Sequence, residues 1–351
     1  MKESTLNRMK NNFDQLRLVA AFFVIITHSY ALLGLPENDI LYQLTRGTVS
    51  FSRLGLWIFF VISGYLITAS ASRSSSVWVY VKKRLLRIVP GFFAVILFCA
   101  FIVGAIFTSY SVAEYISNPI TWDYLKGMAF FRLQYNLPGV FVSNPYPGAV
   151  NGSLWTIPYE VLLYTLPIVG VVISKYVKKQ VFKSMLLVLW ILAIVATKQI
   201  SPILWDYTIP VFLLNAWHLY NFGIFFVGGM LAWLYKDMIP MTLGVCVSLA
   251  VVWVASFFTS LAGMISYLCV PHIILFLAQK PVITFQKIQQ IPDISYGLYL
   301  YAFPVQQILS AYVKPAISVG LFALLSLCVT IPFAWASWKY IEEPFLRLKN
   351  I

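Results

Sequence analysis

Residues 13–30 read FDQLRLVAAFFVIITHSY, an apolar stretch with Arg17 near its start and His28 well inside it. At about 3.6 residues per turn the two basic positions lie about three turns apart and share one face of a helix. Along the axis that spacing is roughly 16 Å at 1.5 Å per residue. With Arg17 at a membrane surface, His28 falls past the bilayer middle. An ionisable group at that depth is costly unless it faces protein or water, which marks His28 as a functional candidate.

The rest of the chain has the same character. Its 351 residues are 60% hydrophobic, 17% aromatic and only 11% charged, with mean hydropathy +0.81, whereas soluble domains carry about 25% charged residues. An ordinary soluble protein is excluded, and an integral membrane protein is predicted. The net charge of +13 does not point to nucleic acid, because the basic residues sit between apolar segments, as in cytoplasmic loops. Cys99, Cys246, Cys269 and Cys328 fall inside apolar runs without close pairing and read as packing residues, not as a disulfide framework or a zinc site. No metal is expected. The polar amino terminus lacks a cleavage site after its apolar run, so the first helix is retained.

Apolar runs long enough to cross a bilayer occur at about 16–34, 54–71, 88–108, 153–173, 182–198, 219–235, 241–258, 262–279, 294–313 and 317–338. They predict an all-α, polytopic transmembrane bundle of about ten spans. Placing both termini in the cytoplasm leaves only Arg46, Arg53, Lys126, Arg132, Lys198 and Lys314 of the 25 Lys and Arg residues outside, which satisfies the positive-inside rule. Residues 199–218, interrupted by Pro202, Asp206 and Pro210, read as an outside-facing re-entrant or surface segment. The loop 109–152, rich in turn signals and aromatics, is long enough to form part of a binding surface. No fixed-period repeat and no appended soluble domain are evident, so residues 1–351 read as one membrane domain.

Three further motifs bear on chemistry. FFVISGY at 59–65 sets Ser63 beside Gly64 within a helix, where the glycine admits either a neighbouring helix or a slender substrate. RLLRIVP at 84–90 puts Arg84 and Arg87 on one face, which suits either a positive flank or bidentate binding of phosphate. In NGSLWTIPYE at 151–160, Ser153 and Glu160 are close to two turns apart, and Glu160 is either a bundle ion-pair partner or a functional carboxylate. Counting from the outside ends of the first and fourth spans puts His28 and Glu160 both roughly 8–10 Å deep, so the two are expected to meet. His218 and His272 read as structural.

In order, these elements resemble the signature of the acyltransferase family 3 membrane proteins: Arg17 and His28, FFxxSG at 59–64, RxxRI at 84–88, the run at 151–160, DISYGLYLYAFP at 293–304 and IEEPF at 341–345. One departure is Ala302, where many members carry histidine. The resemblance implies O-acetyl transfer from cytoplasmic acetyl-CoA to a sugar hydroxyl of a surface polysaccharide or lipid-linked precursor, in the bacterial cytoplasmic (inner) membrane. On that reading His28, Glu160 and Arg17 are catalytic, and Arg17, Arg84, Arg87 and Ser63 hold the acyl-CoA. Asn151, Ser153 and Trp155 hold the saccharide, with aromatics of the 109–152 loop stacking beside them. His28 serves as general base or carries the acetyl group itself. The alternatives are another donor, such as succinyl-CoA, or a proton-coupled carrier or flippase.

Overall fold

The computed structural model describes residues 11–280, 292–313 and 317–350. Lys2, Arg8, Lys10, Lys287 and Lys314, which enter the charge argument, lie outside the described residues. Each of the ten apolar runs forms a helix: α1 (Phe13–Leu32), α2 (Phe51–Arg73), α3 (Val77–Phe107), α4 (Gly152–Ile173), α5 (Lys179–Trp205), α6 (Ala216–Leu234), α7 (Leu243–Ser256), α8 (Ala262–Gln279), α9 (Ser295–Tyr312) and α10 (Val319–Arg347). Among the described residues seven helices are long and apolar enough to cross a membrane, namely α1 to α5, α8 and α10. Helix α7 has 14 residues. Helices α6 and α9 are long but more polar, and α9 is buried along most of its length, so Tyr299, Tyr301, Gln306, Gln307 and Ser310 face protein instead of lipid. The fold is an all-helical membrane bundle.

Short polar caps set the helix starts. Ser50 accepts from the backbone N–H of Arg53, and Ser76 from that of Val79. Helix α2 is the hub, packing against α1, α6 and α8. Its crossing with α6 requires glycine on both sides: a Cβ on Gly64 would lie 1.9 Å from the Phe226 carbonyl oxygen, and one on Gly229 2.2 Å from that of Val61. Gly64 therefore serves helix packing. Helix α4 opens as a 3₁₀ turn over Gly152–Thr156.

The helices alternate in direction, and contacts identify the two ends. At one end the Asn12 N–H donates to the Ala278 carbonyl at 2.7 Å, and Arg73 lies over the Trp233 ring. At the other the Ser310 hydroxyl donates to the Leu32 carbonyl at 2.7 Å, and the Asn144 amide to Gln307. One loop expectation is refined. Residues 199–205 continue α5 through Pro202 instead of re-entering, and an exposed hairpin of β1 (Thr208–Ile209) and β2 (Leu214–Asn215) follows, which fits the surface alternative. In the 109–152 loop Tyr115 and Tyr124 are fully buried, the Tyr115 hydroxyl donating to the Ala100 carbonyl at 2.6 Å, while Tyr110, Trp122 and Tyr146 are exposed. Of the cysteines, Cys99, Cys246 and Cys269 are buried and Cys328 is exposed.

Candidate functional site

A narrow slot of about 110 Å³ opens among α1, α2, α3, α4 and α9 at the end where α1 begins. Arg17, Arg84 and Arg87 line it together with Ser63, Glu160 and Tyr164. Along α2 the lining runs from Ile67 to Leu56, a length of roughly 16 Å at 1.5 Å per residue. The three arginines that the sequence groups are thus brought together, although they come from two helices.

Their partners differ. Asp293, at the foot of α9, receives Arg87 at 2.8 Å and Arg17 at 3.2 Å, and Arg17 also pairs with Asp14. Burial opposes ionisation of Asp293, but Arg17 and Arg87 override it and hold the carboxyl below the usual carboxylate range. Arg84 has no carboxylate within salt-bridge range among the described residues; only the Ser70 hydroxyl approaches it, at 3.5 Å. It is the arginine with charge to spare for an anion. Lys349, in the terminal turn Leu348–Asn350 packed on α3, adds a further cation. Burial first, and then Arg87, Arg84, Lys83 and Arg17, push its ammonium down to about 7. The IEEPF carboxylates divide: Glu342 is buried and accepts from Ser337 at 3.1 Å, whereas Glu343 pairs with Lys339 and Arg347 at the surface.

The expected meeting of His28 and Glu160 does not occur. Glu160 accepts from the Ser63 hydroxyl at 3.2 Å and from the Tyr164 hydroxyl, all within the slot. Phe303 meets both the His28 ring and Gly152, so His28 stands level with the start of α4, whereas Glu160 lies eight residues further along that helix, roughly 12 Å deeper at 1.5 Å per residue. His28 lies instead between α1 and α9, its ring edge-on to Phe303 at 5.3 Å, and its buried Nδ1 has no hydrogen-bond partner among the described residues. It lines no part of the slot. Phe303 also abuts Gly152, where a Cβ would lie 2.7 Å from the ring, so the motif glycine sets the position of the ring against His28. Ala302 packs with Ile25 and Ala323.

From the other end of the bundle a larger cavity of about 570 Å³ enters among α2, α4, α5, α6 and α8. Trp155 lines it, as does His218, which packs 4.8 Å from the Trp155 ring. Asn151 and Ser153 do not: both are buried, the Asn151 amide donating to the Leu300 carbonyl at 2.9 Å and the Ser153 carbonyl accepting from Tyr299 at 2.7 Å. They clamp α4 to α9. Leu56 is common to slot and cavity. Asp293 belongs to the motif at 293–304, but its pairing with two distant arginines is not legible there, and Lys349 and the remaining cavity aromatics escape a sequence reading because each stands alone in its own stretch.

A multi-pass helical membrane protein with an arginine-lined slot at one end and an aromatic cavity at the other is a framework for group transfer. The acyltransferase family 3 profile, described as an acyltransferase domain, matches residues 10–339. The chain belongs to this family and is an acyltransferase. It is similar to an O-acetyl transferase of Shigella phage Sf6, at 31% identity over 341 residues covering 96% of each chain. It is also similar to Nodulation protein 10 of Rhizobium leguminosarum bv. viciae, at 28% identity over 381 residues covering 97% of this chain and 94% of that protein. No solved structure matches.

Proposed function

We propose that this protein is a ten-span O-acetyltransferase of the bacterial cytoplasmic membrane, with both termini in the cytoplasm, moving acetyl from acetyl-CoA to a sugar hydroxyl of a surface polysaccharide or its lipid-linked precursor. The observation that carries the reading is the slot. Its mouth gathers Arg17, Arg84 and Arg87, a narrow channel follows, and Leu56 at its inner end also lines a cavity reached from the opposite end. The positive-inside rule puts the arginine end in the cytoplasm, where acyl-CoA is found. The phosphates of coenzyme A bind at Arg84 and Lys349, with Arg17 and Arg87 held in place by Asp293, while the pantetheine arm runs past Ser63 and Glu160.

In the transfer the sugar hydroxyl oxygen attacks the thioester carbonyl, a C–O bond forms and the C–S bond breaks. The hydroxyl proton ends on the departing thiolate; the family resemblance gives His28 the part of general base, from a position outside the lining of both slot and cavity. The acetyl-donor reading draws support from the phage relative, an O-acetyl transferase. The test is purified protein with acetyl-CoA and a de-O-acetylated polysaccharide, followed by thiol release and by acetyl signals on the product. Acceptor-dependent thiol release with new acetyl esters is expected; a protein that neither binds nor consumes acetyl-CoA overturns the reading and favours a carrier.

A further inference from the structure

The larger cavity differs in kind from the slot. Its volume, about 570 Å³, falls within the roughly 300–1,000 Å³ usual for small-molecule sites, whereas the slot at about 110 Å³ suits only a slender chain. Its walls carry Trp57, Trp155, Trp205 and Trp217, with polar groups from Asn221 and Arg53 between them. Tryptophans at a membrane surface are ordinarily belt residues facing lipid. Trp57 departs from that pattern, being 4% exposed. Its Nε1 has no hydrogen-bond partner among the described residues, although a buried indole N–H normally finds one.

Flat indole faces suit the C–H faces of a pyranose ring. We propose that this cavity is the saccharide site: a pyranose ring of the acceptor lies against Trp205 and Trp217, whose ring centroids are 6.2 Å apart, while Trp57, stacked on Phe225 with its N–H buried, forms part of the wall behind them. The 109–152 loop takes no part. Leu56 lines both this cavity and the inner end of the slot, so the acceptor hydroxyl reaches the donor past that side chain. The identity of the ligand as an acyl acceptor rests on the function proposed above; the binding itself does not.

The test separates the two. Purified protein is titrated with oligosaccharides cut from a surface polysaccharide and freed of ester groups by mild alkali, without acetyl-CoA, and tryptophan fluorescence is followed. Quenching is expected in the wild type and should need about tenfold more oligosaccharide in Trp205→Ala and Trp217→Ala. Trp217→Phe, which keeps a flat aromatic face, should recover most of the loss. Acetyl-CoA affinity, measured separately, should stay at the wild-type value in all three. Unchanged saccharide affinity in both Trp205→Ala and Trp217→Ala overturns the assignment even where acetyl transfer is intact. Saccharide binding of this pattern without any acetyl transfer upholds the site and overturns the function instead.

Discussion

Arg84 is set apart from the two other slot arginines by what does not touch it. Arg17 and Arg87 are committed to Asp293, so truncating either disturbs a buried ion pair as well as any ligand contact. Arg84→Ala breaks no ion pair within the described residues, only the long 3.5 Å approach to Ser70, and should weaken acetyl-CoA binding by about 1.5–3 kcal/mol, the worth of a charged hydrogen bond, with thermal stability close to wild type. Isothermal titration on the purified variant checks this. Lys349 adds a pH signature. Its ammonium is depressed to about 7 by burial and the arginine cluster, and a bound phosphate favours the protonated form. Acetyl-CoA affinity should then be highest below about pH 7 and fall as pH rises through the raised value of the complex. Lys349→Met should remove that fall. The separation of His28 from Glu160 predicts unlike kinetics. His28→Ala should cut turnover while leaving acetyl-CoA affinity intact, whereas Glu160→Gln, which alters the slot wall bonded to Ser63 and Tyr164, should raise the KM for acetyl-CoA. Equal loss of kcat in both, with donor KM unchanged, would restore the pairing.

At the scale of elements, the α2–α6 crossing is the contact with least room. A methyl group at Gly64 would overlap the Phe226 carbonyl, which belongs to backbone and has no rotamer to adopt. Gly64→Ala should therefore force the helices apart at a cost at the upper end of the roughly 1–3 kcal/mol typical of overpacking, lowering the melting temperature in detergent. Gly244→Ala, with nothing within 4 Å of the added carbon, is the matched control and should melt as wild type. Ser63 and Gly64, adjacent in sequence, thus serve different ends: the serine bonds Glu160 in the slot and the glycine admits a neighbouring helix.

For the whole molecule the orientation is the open quantity of function, because a donor from the cytoplasm must enter at the arginine end. In a Cys328→Ser background, Tyr176→Cys and Val142→Cys place thiols at positions 85% and 59% exposed near opposite ends of the bundle. The first should react with an impermeant maleimide only after the cytoplasmic face is opened, and the second in intact cells. The reverse labelling at both would invert the orientation and detach the arginine slot from cytoplasmic acyl-CoA.

The sequence by itself determined that the chain is a helical membrane bundle and where its ten helices fall, because apolar run length and the cost of unpaired backbone groups in lipid leave few alternatives. It also grouped Arg17, Arg84, Arg87, Ser63 and Glu160, which recur at one slot. The tertiary structure decided which of those arginines carry carboxylate partners, since Asp293 reaches them across more than two hundred residues. It alone set Glu160 apart from His28, because the packing of Phe303 holds His28 level with Gly152 at the start of α4, a level that counting from the helix ends does not give. It alone turned Asn151 and Ser153 into a clamp. The large cavity was likewise illegible in the sequence, because its tryptophans come from α2, α4, α5 and α6 and share no motif, only a common space that the packing of those helices leaves open.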